Sequence, residues 1–204
     1  MEKAAMPQLP LMNRLAHCFA IASLIILPLV NDAFGDCSMN ADPDTVIIQW
    51  SSKGGLEKPA SAMADLTVFA DGRVLAGPRF ANGTATEQQL SEADLAALRR
   101  FVFEKQDIWS IDSAAIERDL KALANSSADS GSRAVPVHPL GTETVADAAT
   151  TVIRVRDGVR THQVSQYNLF GAARRYPQID ELQRLRAIEI CLLELADQTA
   201  AAAR

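Results

Sequence analysis

The chain has 204 residues, 48 % of them apolar, and its 25 acidic residues outnumber 20 Lys and Arg for a formal charge of −5. So much apolar material excludes wholesale disorder, and the length fits one domain. The acidic balance argues against nucleic acid or an anionic lipid surface as the main partner.

The N-terminus is the most informative segment. Arg14 and His17 precede an apolar run from Cys18 to Val30. Its length fits the apolar core of a signal peptide and is short for a membrane span. Pro28 breaks a helix near the end of the run, and Ala33-Phe34-Gly35 supplies a small-x-small site. Residues 1–35 therefore read as a signal peptide cleaved after Gly35, with Met12 as an alternative start. A retained anchor helix is the competing reading. A lipoprotein is disfavoured, because Asp36 precedes Cys37 where a lipobox carries a small residue. The predicted location is periplasmic or secreted, in a bacterium; Arg dominates over Lys, as in GC-rich bacterial genomes. Cleavage removes Cys18 and leaves Cys37 and Cys191, an even pair in an oxidising compartment. A Cys37–Cys191 disulfide is expected, tying the mature N-terminus to the last helix.

Along the mature chain, Thr45 to Trp50 is rich in β-formers and predicts a strand, followed by a Gly- and Pro-punctuated loop from Ser51 to Ala62. Gly54-Gly55 lacks the Lys-Ser/Thr and helix start of a phosphate loop. Leu66–Ala70 and Arg73–Ala76 flank Asp71-Gly72, a hairpin signal of type I′ that sets Phe69 opposite Val74 and Val68 opposite Leu75. Apolar residues on both faces put this hairpin inside a sheet. Ser91, with Asp94 three residues on, opens a helix ending near Lys105-Gln106, with Leu95, Leu98, Phe101 and Val102 as its stripe. Ile108 and Trp109 pack back on the core. Asp112 caps a second helix over Ser113–Ala124 with Ile116, Leu120 and Leu123 inward. Asn125 to Ala149 loses periodicity and reads as a long, mobile loop.

A second Asp-Gly hairpin follows, Thr151–Arg156 and Val159–Val164 around Asp157-Gly158, hinting at an internal duplication. Gly171 and Pro177 punctuate its exit, and a final helix runs from Gln178 to Asp197 with Ile179, Leu182, Leu185, Ile188, Leu192 and Leu195 inward. Successive hairpins favour antiparallel pairing, and single-striped helices favour one covered face. The predicted fold is an α+β two-layer sandwich: a mainly antiparallel sheet of about five strands with two or three helices on one face.

The run Leu66-Thr-Val-Phe-Ala-Asp-Gly-Arg-Val74 before a Ser-capped helix, then Ala149-Thr-Thr-Val-Ile153 with a Gly turn and His162, resembles an uncharacterised family of bacterial secreted proteins typed as a domain of unknown function. The resemblance spans Val46 to Leu195 and rests on turn glycines and strand apolars. It implies export and fold, and carries no activity or site residue with it.

Candidate chemistry is sparse. Pairing across Asp157-Gly158 sets His162 opposite Ile153, on an apolar face, where a hydrogen-bonded structural role outweighs that of a base. Ser165 falls on the other face and no G-x-S-x-G exists. His138 stands between two prolines, and no H-x-H or HExxH spacing suggests zinc. Asp36, Asp42 and Asp44 lack the spacing of a calcium loop. Asp112, Glu117 and Asp119 fit the exposed side of a helix. Arg154 and Arg156 share the outward face of the second hairpin, with Arg160 facing the other way, and Arg174-Arg175-Tyr176 follows. Arg154, Arg156, Arg174, Arg175 and Tyr176 are the candidate contact surface for a carboxylate, phosphate or sugar group. The functional expectation is a non-enzymatic periplasmic or secreted binding module with no cofactor or metal, an envelope or protein partner, no nucleic acid, and no membrane span after cleavage. The alternatives are a small hydrolase using His162 with Asp147 or Asp157, and a structural part of an envelope assembly.

Overall fold

The computed structural model describes residues 42–54, 63–80, 83–128 and 148–202. The export segment 1–35, Asp36, Cys37, His138 and Asp147 lie outside the described residues, as does most of the stretch between Asn125 and Ala149.

The fold is α+β. Six strands form one antiparallel sheet, β1 (Val46–Lys53), β2 (Leu66–Phe69), β3 (Arg73–Ala76), β4 (Thr86–Gln89), β5 (Thr150–Asp157) and β6 (Arg160–Tyr167), in the order β4-β3-β2-β1-β5-β6. The helices are α1 (Glu92–Arg99), α2 (Ser113–Ala128), α3 (Leu169–Arg175) and α4 (Asp180–Ala202). Among the described residues the sheet thus has one strand more than expected and the α-helices number four. The additional strand is β4, whose sequence Thr-Glu-Gln-Gln carries no apolar alternation. The additional helix is α3. Gly171, read as a break, lies inside it, and its N–H is capped by the Asn168 side chain at 3.2 Å. β1 continues to Lys53 because Ser51, Ser52 and Lys53 pair with β5. α2 reaches Ala128, four residues past its expected end.

Local chemistry explains most boundaries. Ser91 Oγ accepts the Asp94 N–H at 3.1 Å and donates to the Asp94 carboxylate at 2.7 Å, closing the start of α1. α1 runs on into a π-helical stretch over Arg100–Lys105, closed by the Gln106 N–H on the Phe101 carbonyl. Asp107, at φ +40°, then turns the chain into a 3₁₀ turn over Ile108–Ser110. Arg184 from α4 seals this junction, with Nη1 3.0 Å from the Gln106 carbonyl and 2.9 Å from Ser110 Oγ. Asp112 caps α2 through the Ala114 N–H at 2.9 Å.

The two hairpins pair differently from expectation. In the first, Val68 lies opposite Val74 and Thr67 opposite Leu75. Ala70, Asp71 and Gly72 make a three-residue loop, with the Gly72 N–H on the Phe69 carbonyl at 3.1 Å and Gly72 at φ +88°. That is a turn followed by a left-handed glycine, and its extra residue shifts the register by one. In the second, Asp157 pairs with Arg160 and Val155 with His162, so the loop is Gly158-Val159 rather than Asp157-Gly158. Positive φ at Gly158 alone matches the φ signs of a type II′ turn.

Register divides the sheet into two unlike faces. Ile48, Trp50, Leu66, Val68, Val74, Ala76, Ile153, Val155 and Val164 share one face and are all buried. α4 packs there, burying Leu182, Leu185, Ile188, Leu192 and Leu195, and its buried Glu189 accepts from the Thr151 hydroxyl and pairs with Arg186. Each fully buried aliphatic side chain contributes about 1.5–3 kcal/mol, so this interface dominates the stability. The other face carries Gln49, Ser51, Thr67, Leu75, Glu87, Val152, Arg154, Arg156, Thr161, Gln163 and Ser165. β6 forms one edge of the sheet, and the Ser113 hydroxyl at the start of α2 accepts the Ser165 N–H at 2.9 Å. No helix among the described residues is long and apolar enough to cross a membrane.

Candidate functional site

The polar face owes its geometry to pleat and register. Glu87, Leu75, Thr67, Gln49, Arg154 and Gln163 form one row across all six strands. Neighbours in such a row lie about 4.8 Å apart. Arg156 follows Arg154 on the same face with Thr161 opposite it. Both arginines are exposed.

Each is held at one end. Arg154 Nε donates to Gln163 Oε1 at 2.6 Å, and Arg156 Nε donates to the Gly158 carbonyl at 3.0 Å. Neither has a carboxylate partner among the described residues. Other arginines do: Arg99 with Asp157, Arg184 with Asp180, Arg186 with Glu189, and Arg73 with Asp44 and Asp71. The hydrogen bond to Asp44 and the nearby Asp71 raise the Arg73 pKa further above its ordinary value. What sets Arg154 and Arg156 apart from the other exposed arginines is their shared face on one strand, two residues apart.

The five candidate contact residues are not brought together. Arg154 and Arg156 project from the polar face. Arg174, Arg175 and Tyr176 end α3, which packs on α4 in the helical layer. Arg174 and Arg175 are exposed there, but Tyr176 is buried, with the Arg175 guanidinium 5.7 Å from its ring centroid. Adjacency in sequence concealed the short helix that carries these residues away from β6.

His162 points to the helical face, as expected from parity. Its Nε2 lies 2.9 Å from the Ile111 carbonyl oxygen, which can only accept, so Nε2 carries a hydrogen and donates. Asp157, its proposed acid, is paired with Arg99 at 3.0 Å. Cys191 is buried on α4. No cluster of three or more His, Cys, Asp or Glu able to hold a metal occurs among the described residues.

A second grouping was not foreseen. Trp109 stacks on Phe103 with ring centroids 5.5 Å apart at 17°, Arg160 lies 4.1 Å from the Trp109 centroid, and His162 is tilted against it at 6.1 Å. The signal was present: Arg160 and His162 alternate on the core face of β6, where a cation needs an aromatic or acidic neighbour. Because both Phe103 and Arg160 engage the indole, this grouping clamps the hairpin tip to the helical layer.

No protein-family model, curated protein or solved structure matches the chain.

Proposed function

We propose that the mature chain is an exported, non-enzymatic binding module that holds an envelope partner on the polar face of its sheet, with Arg154 and Arg156 as anchors. The observation that carries this reading is that two exposed arginines, without carboxylate partners among the described residues, project side by side on one strand from the face opposite α4. Arg73, Arg99 and Arg186, by contrast, are neutralised within the fold. Two left unpaired on one strand are free for an external anion.

Export supplies the compartment. It rests on the apolar run Cys18–Val30 and the Ala33-Phe34-Gly35 site. It also makes a Cys37–Cys191 disulfide the expected state of the mature chain. The likeness to uncharacterised secreted bacterial proteins agrees with this location and adds no chemistry.

Two measurements test the reading. N-terminal sequencing of the native protein from the cell envelope should begin at Asp36; native protein recovered from the cytosol with residues 18–30 intact overturns export. Immobilised mature protein should retain a partner from envelope extract. The Arg154→Ala/Arg156→Ala variant should lose that partner and Arg174→Ala/Arg175→Ala should keep it; the reverse pattern overturns the choice of face.

A further inference from the structure

The two anchor arginines are tethered through Nε, and that leaves the same end of each guanidinium unused. With Arg154 Nε on Gln163 and Arg156 Nε on the Gly158 carbonyl, the paired Nη groups form two forks without a carboxylate partner among the described residues. Such a fork matches the two oxygens of a carboxylate, with two parallel N–H···O bonds. Tethering also removes part of the side-chain entropy that an exposed arginine otherwise loses on binding.

The two arginines are also regularly spaced along their strand. Arg154 and Arg156 occupy alternate positions of one strand, so their Cα atoms are about 6.8 Å apart. An extended peptide places its own alternate side chains on one side at that same pitch. On the reading that this face is the contact surface, we propose that its ligand is an extended acidic peptide segment of a partner protein, with carboxylates at positions i and i+2 clamped by Arg154 and Arg156. Gln49 and Gln163 flank Arg154 in the cross-strand row, and Thr161 lies opposite Arg156, so amide and hydroxyl groups border the carboxylate positions. Charge argues against a second copy of this chain as the occupant. The same face also carries Lys53 at the end of β1 and, as acid, Glu87 on β4, so two copies face to face bring like charges together.

The test uses fluorescently labelled peptides of equal composition in anisotropy titrations with the purified protein. One carries two glutamates at i and i+2 among threonines, the second carries them at i and i+3, and the third replaces both with glutamine. The i,i+2 peptide should bind tightest, about three- to tenfold better than the i,i+3 peptide, with affinity falling as salt rises. The R154Q/R156Q variant should lose about tenfold, and Arg154→Lys/Arg156→Lys should recover only part of it, because lysine keeps the charge without the fork. R174Q/R175Q should bind like the parent, and near-UV circular dichroism checks that every variant is folded. Equal binding of the two glutamate peptides, or none of either, overturns the peptide proposal. Arg154- and Arg156-dependent binding to phosphatidylglycerol vesicles or to polygalacturonate without peptide binding overturns it too, yet leaves the face as the contact surface. Peptide binding lost in R174Q/R175Q and kept in R154Q/R156Q overturns both.

Discussion

The two hairpins carry the same Asp-Gly pair and are held in unlike ways. The tip of the first is held from within the sheet: the Gly72 carbonyl accepts the Leu90 N–H at 3.0 Å, and the Gln89 side-chain amide donates to the Asp71 carbonyl at 2.7 Å. The tip of the second leaves Val159 fully exposed and is fixed by side chains reaching in from the helical layer. Arg99 binds Asp157, Trp109 carries Arg160, and the Ile111 carbonyl receives His162. One turn is thus built into the sheet and the other is tied down from outside. Arg156, tethered to Gly158, belongs to the second. A contact surface beside a side-chain-tethered tip can be tuned without disturbing the central strands.

That contrast can be broken most severely at Trp109. Trp109→Ala removes the Phe103 stack and the seat of Arg160, and should cost about 3 kcal/mol in urea unfolding. Amide exchange should rise in β5 and β6 and stay unchanged in β2 and β3; equal loosening of both hairpins contradicts separate tethering. Gly72→Ala comes next, at about 2 kcal/mol, because φ is +88° and a Cβ would meet the Leu90 carbonyl at 3.3 Å and Gln89 Nε2 at 3.0 Å. Gly158→Ala should cost only about 1 kcal/mol: φ is again positive, but nothing lies within 4 Å. If the two glycine variants unfold at the same denaturant concentration, the distinction between built-in and tied-down turns fails. The smallest effect is expected for Asp157→Asn. It breaks an exposed ion pair with Arg99, should cost less than about 1 kcal/mol, and should vanish in high salt.

Much of the fold was legible because the signals were local. Ser91 and Asp112 cap as their side chains predict, and the stripes ending at Val102 and Leu195 face the core. Register was less legible. Asp-Gly marks a turn but does not fix whether the loop holds two residues or three, and here Leu90 and Gln89 closing on the first loop accompany the longer one. A one-residue change there moved Val74 from opposite Phe69 to opposite Val68. In the second hairpin the pairing moved by two residues, so every side chain kept its predicted face. That is why Arg154, Arg156 and His162 were placed correctly in face though not in partner. β4 and α3 escaped because neither has the periodicity that marks a strand or a helix: Thr86–Gln89 is wholly polar, and the seven residues of α3 include a glycine. Missing α3 is also what merged Arg174, Arg175 and Tyr176 with the hairpin arginines.

The small hydroxyl of Ser113 has a protective consequence. β6 is an eight-residue rim strand, long enough to template cross-β growth through its outer amides. Ser113 already occupies the Ser165 amide, and the opposite rim, β4, offers only four polar residues. Both rims therefore discourage recruitment of further strands. Ser113→Val should leave that amide bare and raise light scattering and thioflavin fluorescence on prolonged incubation; an unchanged lag time would show the rim is guarded by something other than this hydroxyl.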